Sequence, residues 1–142
     1  MRRSTLAIAL AVMLNVPADA ADTDVLVRGN TEFAFDLYNT LRVETRDGNL
    51  LFSPYSVSTA VAMTYAGARG ATAEQIARAF HFVLPPARLH PAFRDLMTGI
   101  TGGEYRLPYE LYTANALWGQ RGNDFQKTFI ASSKAHYGAG LN

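Results

Sequence analysis

Residues 49–68 read Asn49-Leu50-Leu51-Phe52-Ser53-Pro54-Tyr55-Ser56-Val57-Ser58, then Thr59-Ala60-Val61-Ala62-Met63-Thr64-Tyr65-Ala66-Gly67-Ala68. Leu50-Leu51-Phe52 is a short apolar run, long enough for a buried strand and too short for a helix. Ser53 offers a hydroxyl to the free amides of a helix's first turn. Pro54 sits at the first helical position, where its missing N–H would have had no partner. Val57, Ala60, Val61, Thr64, Tyr65 and Ala68 then recur at helical spacing, and no charge occurs from Pro54 to Ala68. A helix without a charged face is buried on most sides. This stretch is therefore the expected central helix of a core larger than itself.

Working upstream, Asp47-Gly48-Asn49 is a turn signal. From Thr31 to Arg42, Phe33, Leu37 and Leu41 fall on one helical face, with Asn30 as the expected N-cap and Glu32 in the first turn. Downstream, Gly67 and Gly70 end the central helix, and Thr72-Ala73-Glu74-Gln75 has the form of a capping box. Ile76, Ala79 and Phe80 form the stripe of a third helix. Pro85-Pro86 breaks the chain. Leu89, Phe93, Leu96, Met97 and Ile100 mark a fourth helix, which Gly102-Gly103 ends. Tyr109 to Gly119 alternates with period two and carries no charge on either face beyond Glu110, which predicts a strand covered on both sides. After Gly122, Asn123 or Asp124 is the expected cap of a fifth helix bearing Phe125, Phe129, Ile130 and Tyr137.

The first twenty residues read as a secretory signal. Met1-Arg2-Arg3 is basic, Leu6 to Leu14 is apolar, and Ala18-Asp19-Ala20 fits the small-x-small cleavage rule. Cleavage between Ala20 and Ala21 would leave residues 21–142 as the exported domain. The alternative, a membrane anchor, needs about 20 apolar residues, so no stable membrane insertion is expected once the signal is removed. The expected location is secreted, either extracellular or periplasmic.

Composition narrows the function classes. The chain has 142 residues, 49% hydrophobic and 18% charged, which excludes a disordered tail and a multi-pass membrane protein. Thirteen basic and twelve acidic residues leave no field for nucleic acid. The chain has no cysteine, which excludes disulfides, thiolate zinc sites and thiol catalysis. His81, His90 and His136 lack metal-ligand spacing, Ser53, Ser56 and Ser58 lie outside any nucleophile elbow, and Gly67–Gly70 has no phosphate-loop lysine. Glu32 and Asp36 are paired carboxylates of a kind common on exposed helices. The reading is not an enzyme, with no catalytic residues, no metal and no cofactor.

Taken in order, these motifs resemble the serpins, a family of suicide serine-protease inhibitors. Residues 49–58 match the family's motif at the start of its second helix, and Asn30-Thr31-Glu32-Phe33-Ala34-Phe35-Asp36-Leu37-Tyr38 resembles its first helix. Residues 60–76 resemble its second and third helices, and Ala114-Asn115-Ala116-Leu117-Trp118 a strand of its central sheet. The resemblance implies an α+β fold, here the amino-terminal third of one: mainly α-helices, with short strands belonging to a larger, incomplete sheet. It implies a secreted member of bacterial type whose full-length parent has serine proteases as partners, and cysteine proteases in some members. Inhibition in the family works by a reactive-centre loop that the protease cleaves and that then inserts into the sheet. No segment of this chain matches that loop, so the isolated chain is expected to be inactive. By resemblance, Ser53 and Ser56 match the shutter serines and Asn49 the asparagine that precedes them. The alternatives are a non-inhibitory protein of the same fold and a small exported helical binding module.

Overall fold

The computed structural model describes residues 18–45, 48–103 and 106–142. Five helices follow one another: α1 (Ala18–Glu44), α2 (Pro54–Tyr65), α3 (Gly70–Ala79), α4 (Pro86–Thr101) and α5 (Lys127–Tyr137). Their common core joins Leu26 of α1 to Ala62, Met63 and Tyr65 of α2. Phe82 and Leu84 of the α3–α4 connection, Leu89, Ala92 and Phe93 of α4, and Tyr137 and Ala139 at the end of α5 complete it. Among the described residues no helix is long and apolar enough to cross a membrane.

The first helix is longer than its sequence pattern predicts. It starts at Ala18, not after an Asn30 cap, and Asn30 lies within it. Asp22, Leu26, Gly29 and Phe33 are its buried positions, at spacings of four, three and four. That is one face of a continuous helix. Asp22, Gly29 and Asn30 had the character of turn residues, and burial of their face against α4 and α2 overrides it. Gly29 lets the α3–α4 connection approach, since a Cβ there would stand 2.4 Å from the His81 carbonyl oxygen. Phe33 stacks on Phe80 with ring centroids 4.6 Å apart.

Two further caps differ from expectation. α3 begins at Gly70 with Arg69 as its N-cap, which places Thr72 inside the first turn, and no side chain caps this helix. α5 is capped by Gln126 rather than Asn123 or Asp124, again without a side-chain bond. The stop of α4 at Gly102 follows the sequence, and Gly138 ends α5 in the same way. Gly102 and Gly138 close α4 and α5 in the left-handed conformation, at φ 93° and 63°.

The predicted strands are the main departure. Among the described residues there is no strand at Leu50–Phe52 or at Tyr109–Gly119. The second segment makes a single parallel bridge, Leu117 to Leu141. It is held by Leu117 N–H to Gly140 O (3.2 Å), Asn142 N–H to Leu117 O (2.9 Å) and Gly119 N–H to Asn142 O (2.9 Å). A strand is a property of a pair, and parallel pairs need neighbours along their length. Tyr112 and Trp118, on one face of this segment, stand 86% and 83% exposed, so the described residues leave that face open, while Leu117 on the other packs against the core.

Candidate functional site

Ser53 to Ser56 form the amino-terminal turn of α2. Ser53 is the N-cap, with φ −112° and ψ 103°, and Pro54 is the first helical residue. The Ser56 N–H donates to Ser53 Oγ at 3.2 Å, and the two hydroxyl oxygens lie 2.9 Å apart. The structure thus brings Ser53 and Ser56 together. Asn49 is exposed in the preceding segment, and among the described residues no hydrogen bond joins it to either serine. Neither hydroxyl meets a histidine or carboxylate there, so the turn holds no activated nucleophile of the paired kind.

The face that α2 buries agrees with the predicted one only in part. Ser58, Thr59, Ala62, Met63 and Tyr65 are buried, whereas Val57, Ala60 and Thr64 are exposed. Of the expected stripe, Tyr65 lies in the five-helix core and Ala68 packs against it, Val61 is half-buried, and Val57, Ala60 and Thr64 face away. The helix has apolar character on both sides, and the described residues cover one of them.

Side-chain contacts also tie α1 and α4 to distant parts of the chain. The Asp22 carboxylate takes a forked pair from Arg88, with Nε at 2.9 Å and Nη2 closer still. The Arg88 hydrogen bond holds the Asp22 carboxyl below its ordinary range, against a smaller opposing effect of burial. His81, itself at φ 52°, bridges both carboxylates of the exposed α1 pair: Nδ1 lies 3.1 Å from Glu32 and Nε2 2.8 Å from Asp36. His90, buried on α4, has Nδ1 at 2.6 Å from the Tyr137 hydroxyl. Burial first, and the neighbouring His136 second, push the His90 imidazole down to about 4. Among the described residues no group of three or more His, Asp or Glu side chains could hold a metal ion.

Of the other predicted site residues, Ala20 and Ala21 lie in the first turn of α1. Met1–Pro17 of the expected signal fall outside the described residues. Sequence reasoning did not find the Asp22–Arg88 and His90–Tyr137 pairs. Their partners are 66 and 47 residues apart, and no local pattern announces such a contact.

The family model for serpins, described as serine protease inhibitors, matches residues 28–142. The bovine (Bos taurus) leukocyte elastase inhibitor is 40% identical over 116 residues, which cover 82% of this chain and 30% of that protein. An uncharacterized serpin-like protein of Methanosarcina mazei is 36% identical over 124 residues, 86% of this chain and 29% of the relative. The chain thus spans about 30% of the length of the curated relatives it matches. Among solved structures, cleaved kallistatin complexed with heparin superposes at TM-score 0.73 and 28% identity, covering 84% of this chain and 35% of that one. A cleaved serpin 42Da gives TM-score 0.74 at 20% identity, over 84% and 31% of the two chains, and speaks for the fold alone. Ordered motifs, a capped charge-free helix and a matching helical scaffold converge on one assignment: the chain belongs to the serpin family.

Proposed function

We propose that this chain is the amino-terminal scaffold of a secreted serine-protease inhibitor that acts by reactive-loop insertion, and that residues 21–142 do not inhibit by themselves. The observation that carries the reading is the match of residues 28–142 to the serpin model. Relatives named leukocyte elastase inhibitor support a protease inhibitor, with elastase-type serine proteases as the first to test. In this reading Ser53 and Ser56 belong to the shutter over which a sheet opens, and Asn49 precedes them. The remaining serpin length would cover the outer face of α2 and pair with the segment ending in the Leu117–Leu141 bridge. The open positions Val57, Tyr112 and Trp118 support that placement.

The test compares residues 21–142 with a form extended by the downstream coding sequence. Each is incubated with elastase-, trypsin- and chymotrypsin-type proteases and run on denaturing gels. Only the extended form is expected to give a complex that survives denaturation. A covalent complex formed by residues 21–142 alone would overturn the reading. Amino-terminal sequencing of exported protein checks the signal, with Ala21 expected first and an intact Met1 counting against secretion by this route.

A further inference from the structure

α5 is fastened to α4 by a cluster of three rings. His90 on α4 is 6% exposed, with its Nδ1 at 2.6 Å from the Tyr137 hydroxyl at the end of α5. The His136 ring stacks on His90 at a centroid distance of 6.2 Å and an interplanar angle of 24°. The Nδ1 of His136 is buried and has no hydrogen-bond partner among the described residues. A cavity of about 500 Å³ opens beside the two imidazoles, bordered by Tyr65, Arg69, Pro91 and Ser132.

The charges around this cluster do not welcome another cation. Arg94 and Asp95 of α4 act on His136 in opposite senses, and Asp95 is already engaged by Arg94 Nη2 at 2.7 Å. Arg69, from the α2–α3 connection, borders the same cavity. Tyr65 of α2 presents its ring to His90 at 6.2 Å, and Tyr55 of α2 acts on Tyr137. Lys134 is a further cation on α5 itself. An imidazolium at either histidine would face the other, with Asp95 as the single nearby anion among these groups.

The chain beyond depends on the same anchor. Asn115 Nδ2 donates to the Tyr137 carbonyl at 3.3 Å, and the Leu117–Leu141 bridge follows directly after α5. We propose that His90 and His136 form an acid-released latch: α5 and the bridge after it stay docked on α4 while both imidazoles are neutral, and come away when the imidazoles take up protons.

The sign follows from linkage. Burial, reinforced by Arg94, holds His136 below its ordinary value as well, and His90 lies at about 4. In the released state both titrate near 6.5. Below that pH the released state binds more protons, so acid favours release, by up to about tenfold per pH unit for each histidine. For His90 the effect levels off below about pH 4, towards a limit of roughly 300-fold.

Hydrogen exchange of the full chain at pH 7.5 and pH 4.5, corrected for intrinsic exchange chemistry, tests the latch. Peptides from α5 are expected to lose at least tenfold more protection than peptides from α1. In His136→Gln the pH response of α5 is expected to be shallower, by up to tenfold per pH unit. Retained α5 protection at pH 4.5, or loss in step with all other helices, would overturn the proposal. So would an unchanged response in a folded His136→Gln protein. If that variant does not fold, the comparison of helices in the unsubstituted chain decides.

Discussion

The carbonyl oxygen of His81 sits where a side chain on Gly29 would begin: a Cβ there would stand 2.4 Å away. This close approach sets the spacing between α1 and the α3–α4 connection. It also places His81 over α1, where its two ring nitrogens reach Glu32 and Asp36. Gly29→Ala tests how rigid this is. Alanine gains about 1 kcal/mol of helix propensity over glycine. Overpacking against a backbone atom costs about 1–3 kcal/mol, and a carbonyl cannot swing aside as a long side chain can. A net loss of up to about 2 kcal/mol is expected, read as a lower denaturation midpoint with an unchanged slope. A more stable Gly29→Ala protein would show that the connection yields freely.

Asp22 and Arg88 link the start of α1 to α4. The folded-state carboxyl titrates below its ordinary 3.8, chiefly because Arg88 donates to it. Its contribution to stability is therefore present above the unfolded value and is lost as pH falls through the lower folded value. Asp22→Asn is expected to melt lower than the unsubstituted chain at pH 7. The difference should shrink as pH drops below about 4. A carboxyl carbon resonance of Asp22 that titrates at or above 3.8 would contradict this. The pair also bears on processing, since a chain beginning at Ala21 retains Asp22 and should retain the same titration.

The amino-terminal turn of α2 makes two separable predictions. Ser53→Ala removes the acceptor for the Ser56 N–H and should cost about 1 kcal/mol, whereas Ser53→Asp, which can cap in the same way, should recover most of it. The second concerns which face is inside. Ala62 is fully buried and Val57 is 38% exposed. Ala62→Asp should therefore cost several kcal/mol or prevent folding, while Val57→Asp should stay within about 1 kcal/mol. Equal losses from the two substitutions in this chain would mean that the face carrying Val57 is covered.

What the sequence reveals here depends on how local the cause is. The Ser53-Pro54 start of α2 and the Gly102 stop of α4 follow from the chemistry of one or two residues, and the structure has them where the pattern put them. The extent of α1 was not legible, because Asp22, Gly29 and Asn30 look like breakers. Their helical state is decided by contacts with α4 and with His81, which lie far along the chain. The alternation at Tyr109–Gly119 is a true period-two pattern, yet a strand also needs a partner, and only Leu117 finds one among the described residues. The buried side of α2 was legible only in part, at Tyr65 but not at Val57, Ala60 or Thr64, for a related reason. With no charge on the helix, hydropathy cannot say which side meets the neighbours present. The Ser53 cap was found because capping is local, and the histidine cluster was missed because His90 and Tyr137 meet only after α4 and α5 have packed.

Tyr137 offers the cleanest probe of that packing. It is 2% exposed, and its ring lies 5.7 Å from Phe93 and 5.8 Å from His90 between centroids. Burial raises its hydroxyl well above the ordinary phenol value, so the group stays protonated at every pH of interest. Tyr137→Phe keeps the ring and its apolar contacts and removes only the oxygen. The His90 Nδ1 then loses its partner at a site nearly closed to water. A buried polar atom left unsatisfied costs about 1–3 kcal/mol, and that is the expected loss at pH 7. His90→Phe in the same background should recover part of it, because an apolar ring has no hydrogen bond to lose. A double-mutant cycle over the two positions should therefore give a coupling of about 1 kcal/mol or more. Additive effects would show that the 2.6 Å contact contributes nothing beyond the packing of the two rings.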